Sequence, residues 1–498
     1  MTNSYNPNQN PELTDVGNKK RKIVIDPVTR VEGHGRVTLL LDEQNKIDEA
    51  RLHIVEFRGF EKFIQGRPYW EAPVLVQRLC GICPVSHHLC AAKAMDDVVG
   101  MSQDTLPSTA LSMRRLMHYG QVLQSHALHF FYLAAPDLLL GVDSDVNNRN
   151  VVGLAAMNPE LAKKGILLRK FGQEIILATA GKKIHGISAV PGGIHKHLTP
   201  EEIKKFEQGI DVPSVDTVIE WCEEILEIYK NYHAANKTWL DTFETLPSNY
   251  MSLVGKNGEM DLYHGNLRCI TSTGQKIIDD IDYHNYLDYY SEEVKEWSYM
   301  KFPFIKQVGP ENGWMRVGPL ARVNVCDYIA TPKAQKALED FRSINGRFAH
   351  QTLNYHWARL IEMLHCAESI KDTLKDPSLL TGETFKTGVF SGEGIGFLEA
   401  PRGTLIHHYK VAESGAITKC NLIVSTTHNN TGMNLSVKNV AKRFIEGQTT
   451  ITEGMLNHLE VAIRAYDPCL SCATHALGKM PLKLEIMKGD QLIASLEK

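Results

Sequence analysis

Apolar positions change their period several times along the chain. Between residues 22 and 57 they alternate: Arg36-Val-Thr-Leu-Leu-Leu-Asp and Ala50-Arg-Leu-His-Ile-Val-Glu-Phe flank the turn-rich Glu43-Gln-Asn-Lys, which predicts a hairpin. Further on the interval lengthens to three or four residues. Leu116, Tyr119, Leu123, Ala127, Phe130 and Ala134 form one such series, and Val218, Cys222, Ile225, Tyr229 and Tyr232 another, predicting long core-facing helices. From about 250 to 330 Gly and Pro break the pattern at Tyr263-His-Gly-Asn, Gly309-Pro and Gly318-Pro, predicting an irregular β-containing lobe. Helical spacing returns from 333 to about 375. A glycine-rich section, Ser391-Gly-Glu-Gly-Ile-Gly, leads to strand-like stretches at 405–411 and 416–425. Thr450-Ile-Thr-Glu453 reads as a capping box for a helix with Met455, Leu459, Ala462 and Ile463 on one face, stopped by Pro468. Two alternating segments around Gly489-Asp490 predict a terminal hairpin, and the polar, Asn- and Pro-rich residues 1–20 predict a disordered leader.

Composition narrows the class. At about 150 residues per domain, 498 residues suggest roughly three domains or one multi-lobed unit. The chain is 43% hydrophobic and 22% charged, a globular balance. Its 54 basic and 58 acidic side chains give a net charge of −4, without the basic excess that nucleic acid requires. No run is long and apolar enough to predict a membrane span; Asp137 interrupts the best stretch, 130–142. The glycines at 392, 394 and 396 do not have dinucleotide-fingerprint spacing, so NAD binding by this chain itself is not expected.

Ten cysteines are too dilute for a disulfide scaffold. Four of them form two Cys-x-x-Cys pairs near opposite ends, Cys80 with Cys83 and Cys469 with Cys472. No secretory segment is legible, so a reducing, cytoplasmic compartment is expected, where paired thiols suggest metal or redox chemistry. Pro84 suits the first position of a helix running to Val98, which places Cys83 at its N-cap, where the helix dipole favours a thiolate. Spacing leaves three readings open: buried core thiols, a structural zinc site, or a nickel or iron catalytic centre with soft ligands. Cys90, Cys222 and Cys366 fall on apolar helical positions and read as core, while Cys269, Cys326 and Cys420 carry no assignment.

The words around the pairs go further. Arg78-x-Cys-Gly-x-Cys-x-x-x-His87 and Asp467-Pro-Cys-x-x-Cys-x-x-His475 resemble the two signature motifs of the nickel-iron hydrogenase large (catalytic) subunit. The resemblance extends to Asp26-Pro-Val-Thr-Arg-Val-Glu-Gly-His34, Phe57-Arg-Gly-Phe-Glu61 and Ala400-Pro-Arg-Gly403, and is strongest to the cytoplasmic, bidirectional NAD-reducing subgroup. It implies a mainly α (α+β) fold, a central long-helix bundle with peripheral β segments, in which residues 21–475 form one multi-lobed body.

The resemblance also implies roles. All four sulfurs would ligate nickel, with Cys83 and Cys472 bridging to an iron that carries two cyanides and one carbon monoxide. Cys469 would take the proton released from H2, and Glu32 would relay it. Arg402, after Pro401, would sit over the metals with Asp137 and Asp467 as charge partners. Thr426 would hydrogen-bond a cyanide, and His87 would orient the cluster without ligating it. Glu61, His475 and the Leu422 carbonyl would bind Mg2+. Electrons would leave through a small subunit with an iron-sulfur cluster, then through diaphorase subunits with FMN to NAD. Nickel-insertion proteins and a maturation endopeptidase would assemble the site, the latter removing residues 476–498. Another electron acceptor, an H2-sensing role and a non-catalytic zinc-organised scaffold are the alternatives. A related respiratory-complex subunit shares the fold but lacks the four cysteines.

Overall fold

The 3.6-residue apolar series become the helices Ser108–Leu128 and Val215–Ala235. Leu116, Leu123 and Ala127 on the first and Val218, Cys222, Ile225 and Tyr229 on the second are buried. Ser108–Leu128 packs on Pro159–Ala180 and on Asn354–Thr373, and the latter packs on Val215–Ala235, making the central bundle. Past Leu128 the backbone widens into a π-helical stretch, His129–Ala134, and resumes as Ala135–Leu140. The structure is a computed structural model that describes residues 14–16, 20–54, 59–474, 483–488 and 491–497, with the side chains of 21–54 and 59–474.

Among the described residues, three sheets have three or more strands. The expected hairpin is Gly35–Leu41 with Ile47–Ile54, and it belongs to an antiparallel sheet of four strands with Thr14–Val16 and Lys20–Ile25. Val37, Leu39 and Leu41 alternate inward, as a half-buried strand requires. The 250–330 lobe is built on Asn249–Val254, Asn266–Ile270 and Lys276–Ile281. The third sheet joins Glu393–Ala400, Gly403–Val411 and Ile417–Ile423, all antiparallel. One core runs from Ile23 to Ala473, and a smaller one gathers Met251, Tyr286, Phe397 and Ile406. The terminal hairpin is present as Lys483–Lys488 against Gln491–Glu497, whereas most of the expected leader lies outside the described residues.

Two local expectations change. The glycine-rich section, to which the sequence pattern assigned no element, is mostly strand, because its glycines let Glu393–Ala400 lie directly on the helix Pro84–Val98. A Cβ at Gly394 would stand 1.8 Å from the Ala94 carbonyl, and one at Gly396 2.1 Å from that of Cys90. The late helix, Glu453–Tyr466, is capped by Thr452, whose hydroxyl accepts from the Met455 amide, and not by Thr450. Glu453 is thereby at the first helical position, where it pairs with Arg149.

Candidate metal centre

Both cysteine pairs sit where the backbone leaves regular structure. Cys80 is extended at the end of the turn Gln77–Leu79, and Cys83 is the N-cap of Pro84–Val98, as Pro84 predicted. Cys80 Sγ accepts from the amides of Ile82 (3.2 Å) and Cys83 (3.3 Å). At the other end of the chain, Asp467 takes a left-handed φ of 53° after Glu453–Tyr466, and Pro468 follows, which turns Cys469 and Cys472 back toward the first pair. Cys469 Sγ lies 2.8 Å from Cys472, 3.5 Å from Cys80 and 4.0 Å from Cys83, and Cys83 lies 3.7 Å from Cys472. All four sulfurs are within 4.8 Å of one another and buried. Two sulfurs each about 2.3 Å from one ion are at most about 4.6 Å apart, so the cluster has the dimensions of a single-ion site.

Glu32 reaches this cluster from the first sheet. Residues 26–34 cross from Lys20–Ile25 to Gly35–Leu41, and Glu32 pairs with Cys469 as an isolated parallel bridge. The Leu470 amide donates to the Glu32 carbonyl (3.0 Å). Glu32 Oε2 lies 3.1 Å from both Cys469 Sγ and the Ser471 amide. Gly33, at φ +83°, permits the approach: a Cβ there would stand 2.7 Å from the Ser471 nitrogen. The loop is pinned on its far side. Thr29 donates to Glu460 through its amide and hydroxyl, and Arg464 donates to the Thr29 carbonyl and hydroxyl.

Asp137 belongs to that clamp. Its carboxylate binds Arg30 (2.5 Å), Arg464 (2.9 Å) and Asn457 (3.2 Å), with Arg149 at 3.6 Å. The expectation that it partners Arg402 is therefore corrected: it holds Arg30, two residues before Glu32. Burial pushes the Asp137 carboxyl up, but Arg464 and Arg30 outweigh burial and hold it below the usual carboxylate range.

Arg402 stands at the tip of a two-residue hairpin, since Ala400 pairs with Gly403 across Pro401 and Arg402. It donates to the Asp467 carbonyl (2.6 Å) and to Asp467 Oδ1 (3.0 Å), as expected for that partner. Its Nη1 has no hydrogen-bond partner among the described residues. Burial works against the guanidinium charge, but Asp467 and the cysteine sulfurs more than restore it. A second arginine grips the hairpin from beneath. Arg322 donates to the carbonyls of Ala400 (2.9 Å) and Pro401 (3.2 Å) and is fixed by Glu362 and Glu399, all three buried.

Arg402, Pro401, Thr426, His87, Cys83 and Cys469 line one small void of about 10 Å³, walled elsewhere by Ala400, Leu405 and Val424. Thr426 Oγ1 accepts from the Cys469 amide (2.9 Å), which leaves its hydroxyl proton to donate. His87 Nδ1 contacts His407 Nε2 (3.1 Å), so His87 is held from behind. Glu61 Oε1 accepts from the Leu422 amide (2.8 Å), bringing two of the three expected Mg2+ residues together; His475 lies outside the described residues.

The sulfur chemistry fits a metal cluster. Burial pushes the Cys469 and Cys472 thiols up, whereas hydrogen bonds from the other thiols, Cys469 first, bring Cys80 well down. Soft metal ions would displace the thiol protons that burial otherwise retains. The unpaired Arg402 Nη1 over the sulfurs would suit an anionic ligand on such a metal. Sequence reading missed Arg30, Arg464, Glu460, Arg322, Glu362 and His407. Only Arg30 falls inside a quoted motif; the others act through the fold.

Comparison with known proteins agrees with this geometry. Residues 58–148 and 262–475 match the family described as Nickel-dependent hydrogenase, and residues 22–57 match one described as HoxL-like. The chain is 51% identical over 474 residues to the NAD-reducing hydrogenase HoxS subunit beta of Cupriavidus necator, covering 94% of this chain and 97% of that one. It is 42% identical over 485 residues to a chain of the vhc F420-non-reducing hydrogenase of Methanococcus voltae, covering 95% and 100%. A crystal structure of an NAD+-reducing [NiFe]-hydrogenase in the H2-reduced state superposes with a TM-score of 0.89 at 55% identity, over 92% of this chain and all of the other. The Ni-Fe-Se hydrogenase of D. vulgaris Hildenborough, at 24% identity and TM-score 0.73, shares the fold.

Proposed function

Because the chain belongs to the nickel-dependent hydrogenase large-subunit family, we infer that its buried four-sulfur site catalyses H2 ⇌ 2H⁺ + 2e⁻, with the electrons passed on to NAD. The observation that carries this reading is the meeting of Cys80, Cys83, Cys469 and Cys472 with the Glu32 carboxylate on Cys469.

The sulfurs of Cys80, Cys83, Cys469 and Cys472 would hold the nickel-iron centre with its cyanide and carbon monoxide. When bound, that centre supplies the polarisation that splits H2 and takes up its electron pair. The protein handles the protons. Cys469 Sγ accepts the proton leaving H2, and Glu32 Oε2, 3.1 Å away, takes it next. Arg402 places its positive edge over the open side of the cluster, and Asp467 keeps that charge compensated in a buried place. Pro401 and the apolar wall exclude bulk water, and Thr426 offers a hydroxyl to a cyanide. Glu61, the Leu422 carbonyl and His475 would hold Mg2+.

The described residues contain no second cysteine cluster to carry electrons. Electrons therefore pass to a small subunit with an iron-sulfur cluster, then to a diaphorase bearing FMN. No described helix is long and apolar enough to cross a membrane, in keeping with a cytoplasmic complex. Residues 21–475 act as one multi-lobed body. A maturation endopeptidase removes residues 476–498 after nickel-insertion proteins have loaded the site. The family match ending at residue 475 supports that boundary.

The test is the native complex. Nickel with iron by elemental analysis and H2-dependent NAD+ reduction are expected. Zinc alone would sink the reading. Nickel and iron with H2 oxidation but no NAD+ reduction would favour another acceptor, as the 42% identity to an F420-non-reducing hydrogenase suggests.

A further inference from the structure

Asp467, the partner of Arg402, uses only half of its carboxylate in that pair. Its Oδ1 accepts from Arg402, whereas Oδ2 is buried with no hydrogen-bond partner among the described residues. A second guanidinium stands behind it. Arg359, on the bundle helix Asn354–Thr373, is fully buried. Its Nη2 donates to the carbonyl of Ala465 (3.0 Å) in the last turn of Glu453–Tyr466, two residues before Asp467. Its Nη1 reaches only the Tyr355 carbonyl one turn back on its own helix (3.5 Å), and its Nε has no hydrogen-bond partner among the described residues.

Of the opposite charges near Arg359, Asp467 acts most strongly and Glu362 next, and Glu362 is already engaged by Arg322 and His126. The other neighbours do not offset it. Arg402 is a like charge, and burial keeps the stacked pair His129 and His356 neutral, with Arg359 as the next cause. Burial lowers Arg359 to about 10, which leaves it a cation at neutral pH. Asp467 is thus one carboxylate between two guanidinium groups. A cation suits the C-terminal carbonyls of a helix, where the dipole is negative. An uncompensated one deep in the protein still calls for negative charge nearby, and metal-bound thiolates beside Arg402 would supply it.

We propose that Arg359 is a positioning residue for the metal centre: it closes the helix end that presents Asp467 to Arg402, and it leaves the Arg359–Asp467–Arg402 group with a net positive charge against the thiolates of the cluster. Arg402 makes the contact with the site. Arg359 restores from behind the charge that Asp467 alone would cancel.

The proposal rests on the hydrogenase reading, and infrared spectroscopy of the assembled enzyme during a reductive titration at fixed pH tests it. The carbon monoxide and cyanide bands mark the state of the centre, and the potential at which one set gives way to the next reports the charge around it. Arg359→Gln keeps an amide donor for the Ala465 carbonyl but removes the charge. With nickel and iron content unchanged, it is expected to move the transition to lower potential than in wild type, because the added electron loses a favourable cation. Arg359→Lys keeps the charge and should stay near wild type. An unmoved transition in Arg359→Gln would overturn the proposal alone. So would an equal shift in Arg359→Gln and Arg359→Lys, since charge would then not be the cause. Arg359→Met takes the neutral arm if Arg359→Gln does not assemble. Wild-type enzyme without such bands would overturn the hydrogenase reading and this proposal with it.

Discussion

At the scale of single residues, the site is defined by who stands behind each functional group. Glu32 is held at Cys469 by two backbone amides, from Leu470 to its carbonyl and from Ser471 to its carboxylate. Glu32→Gln keeps this backbone geometry and its steric outline but loses the basic oxygen. Metal content is expected to stay at the wild-type level, while isotope exchange between H2 and solvent protons falls by about 10²–10⁴-fold, the usual worth of a positioned proton acceptor. Exchange at the wild-type rate in this variant would remove Glu32 from the proton route. The motifs made Glu32, Arg402 and the cysteines legible, because each lies in a short word. Asp137 was legible as a buried acid but not as to its partner. Its word ends in a helix, and only packing decides that this helix meets Arg30 and Arg464 rather than Arg402.

Among elements, close backbone approach does what side chains alone cannot. The strand Glu393–Ala400 ends in the hairpin that presents Arg402, and its height above the helix of Cys83 is set by Gly394 and Gly396. Gly396→Ala puts a methyl against the Cys90 carbonyl and lifts the strand. It is expected to cost about 1–3 kcal/mol, as overpacking does, and to lower nickel occupancy by displacing Arg402 and His407 together. Urea denaturation with metal analysis checks it; wild-type stability and loading would show that the contact is slack. Sequence periodicity found the long helices and the first hairpin because one face of each is apolar. It missed the strand Glu393–Ala400 for the converse reason. That strand is buried along nearly its whole length, so no alternation marks it.

Over the whole molecule, buried charge ties distant segments together. Glu362, from the central bundle, binds Arg322 and His126, and Arg322 holds the Arg402 hairpin. Burial pushes the Glu362 carboxyl up, but Arg322 overcomes it and brings the group from 4.5 to about 2. A folded-state value below the unfolded one means that the stabilisation is complete above pH 4.5 and is lost as pH falls toward 2. The urea midpoint should therefore decline across that window. Glu362→Gln should flatten the decline while costing about 3–5 kcal/mol at neutral pH, since Arg322 loses a buried partner. An unchanged slope would contradict the pairing. Maturation is a second test at this scale. Intact mass of active enzyme is expected to match a chain ending at His475, 23 residues short of the full 498, and a retained tail would refute removal. By itself, the sequence determined the family, the four cysteines proposed to bind metal and the long helices, because each is written in local words or in one-dimensional periodicity. Tertiary structure alone decided that Asp137 meets Arg30 and Arg464, that Arg322 carries the Arg402 hairpin, and that His407 stands behind His87. These pairings join segments up to 327 positions apart, and such pairs form only when the core brings their elements together and leaves buried charges and N–H groups no water to turn to.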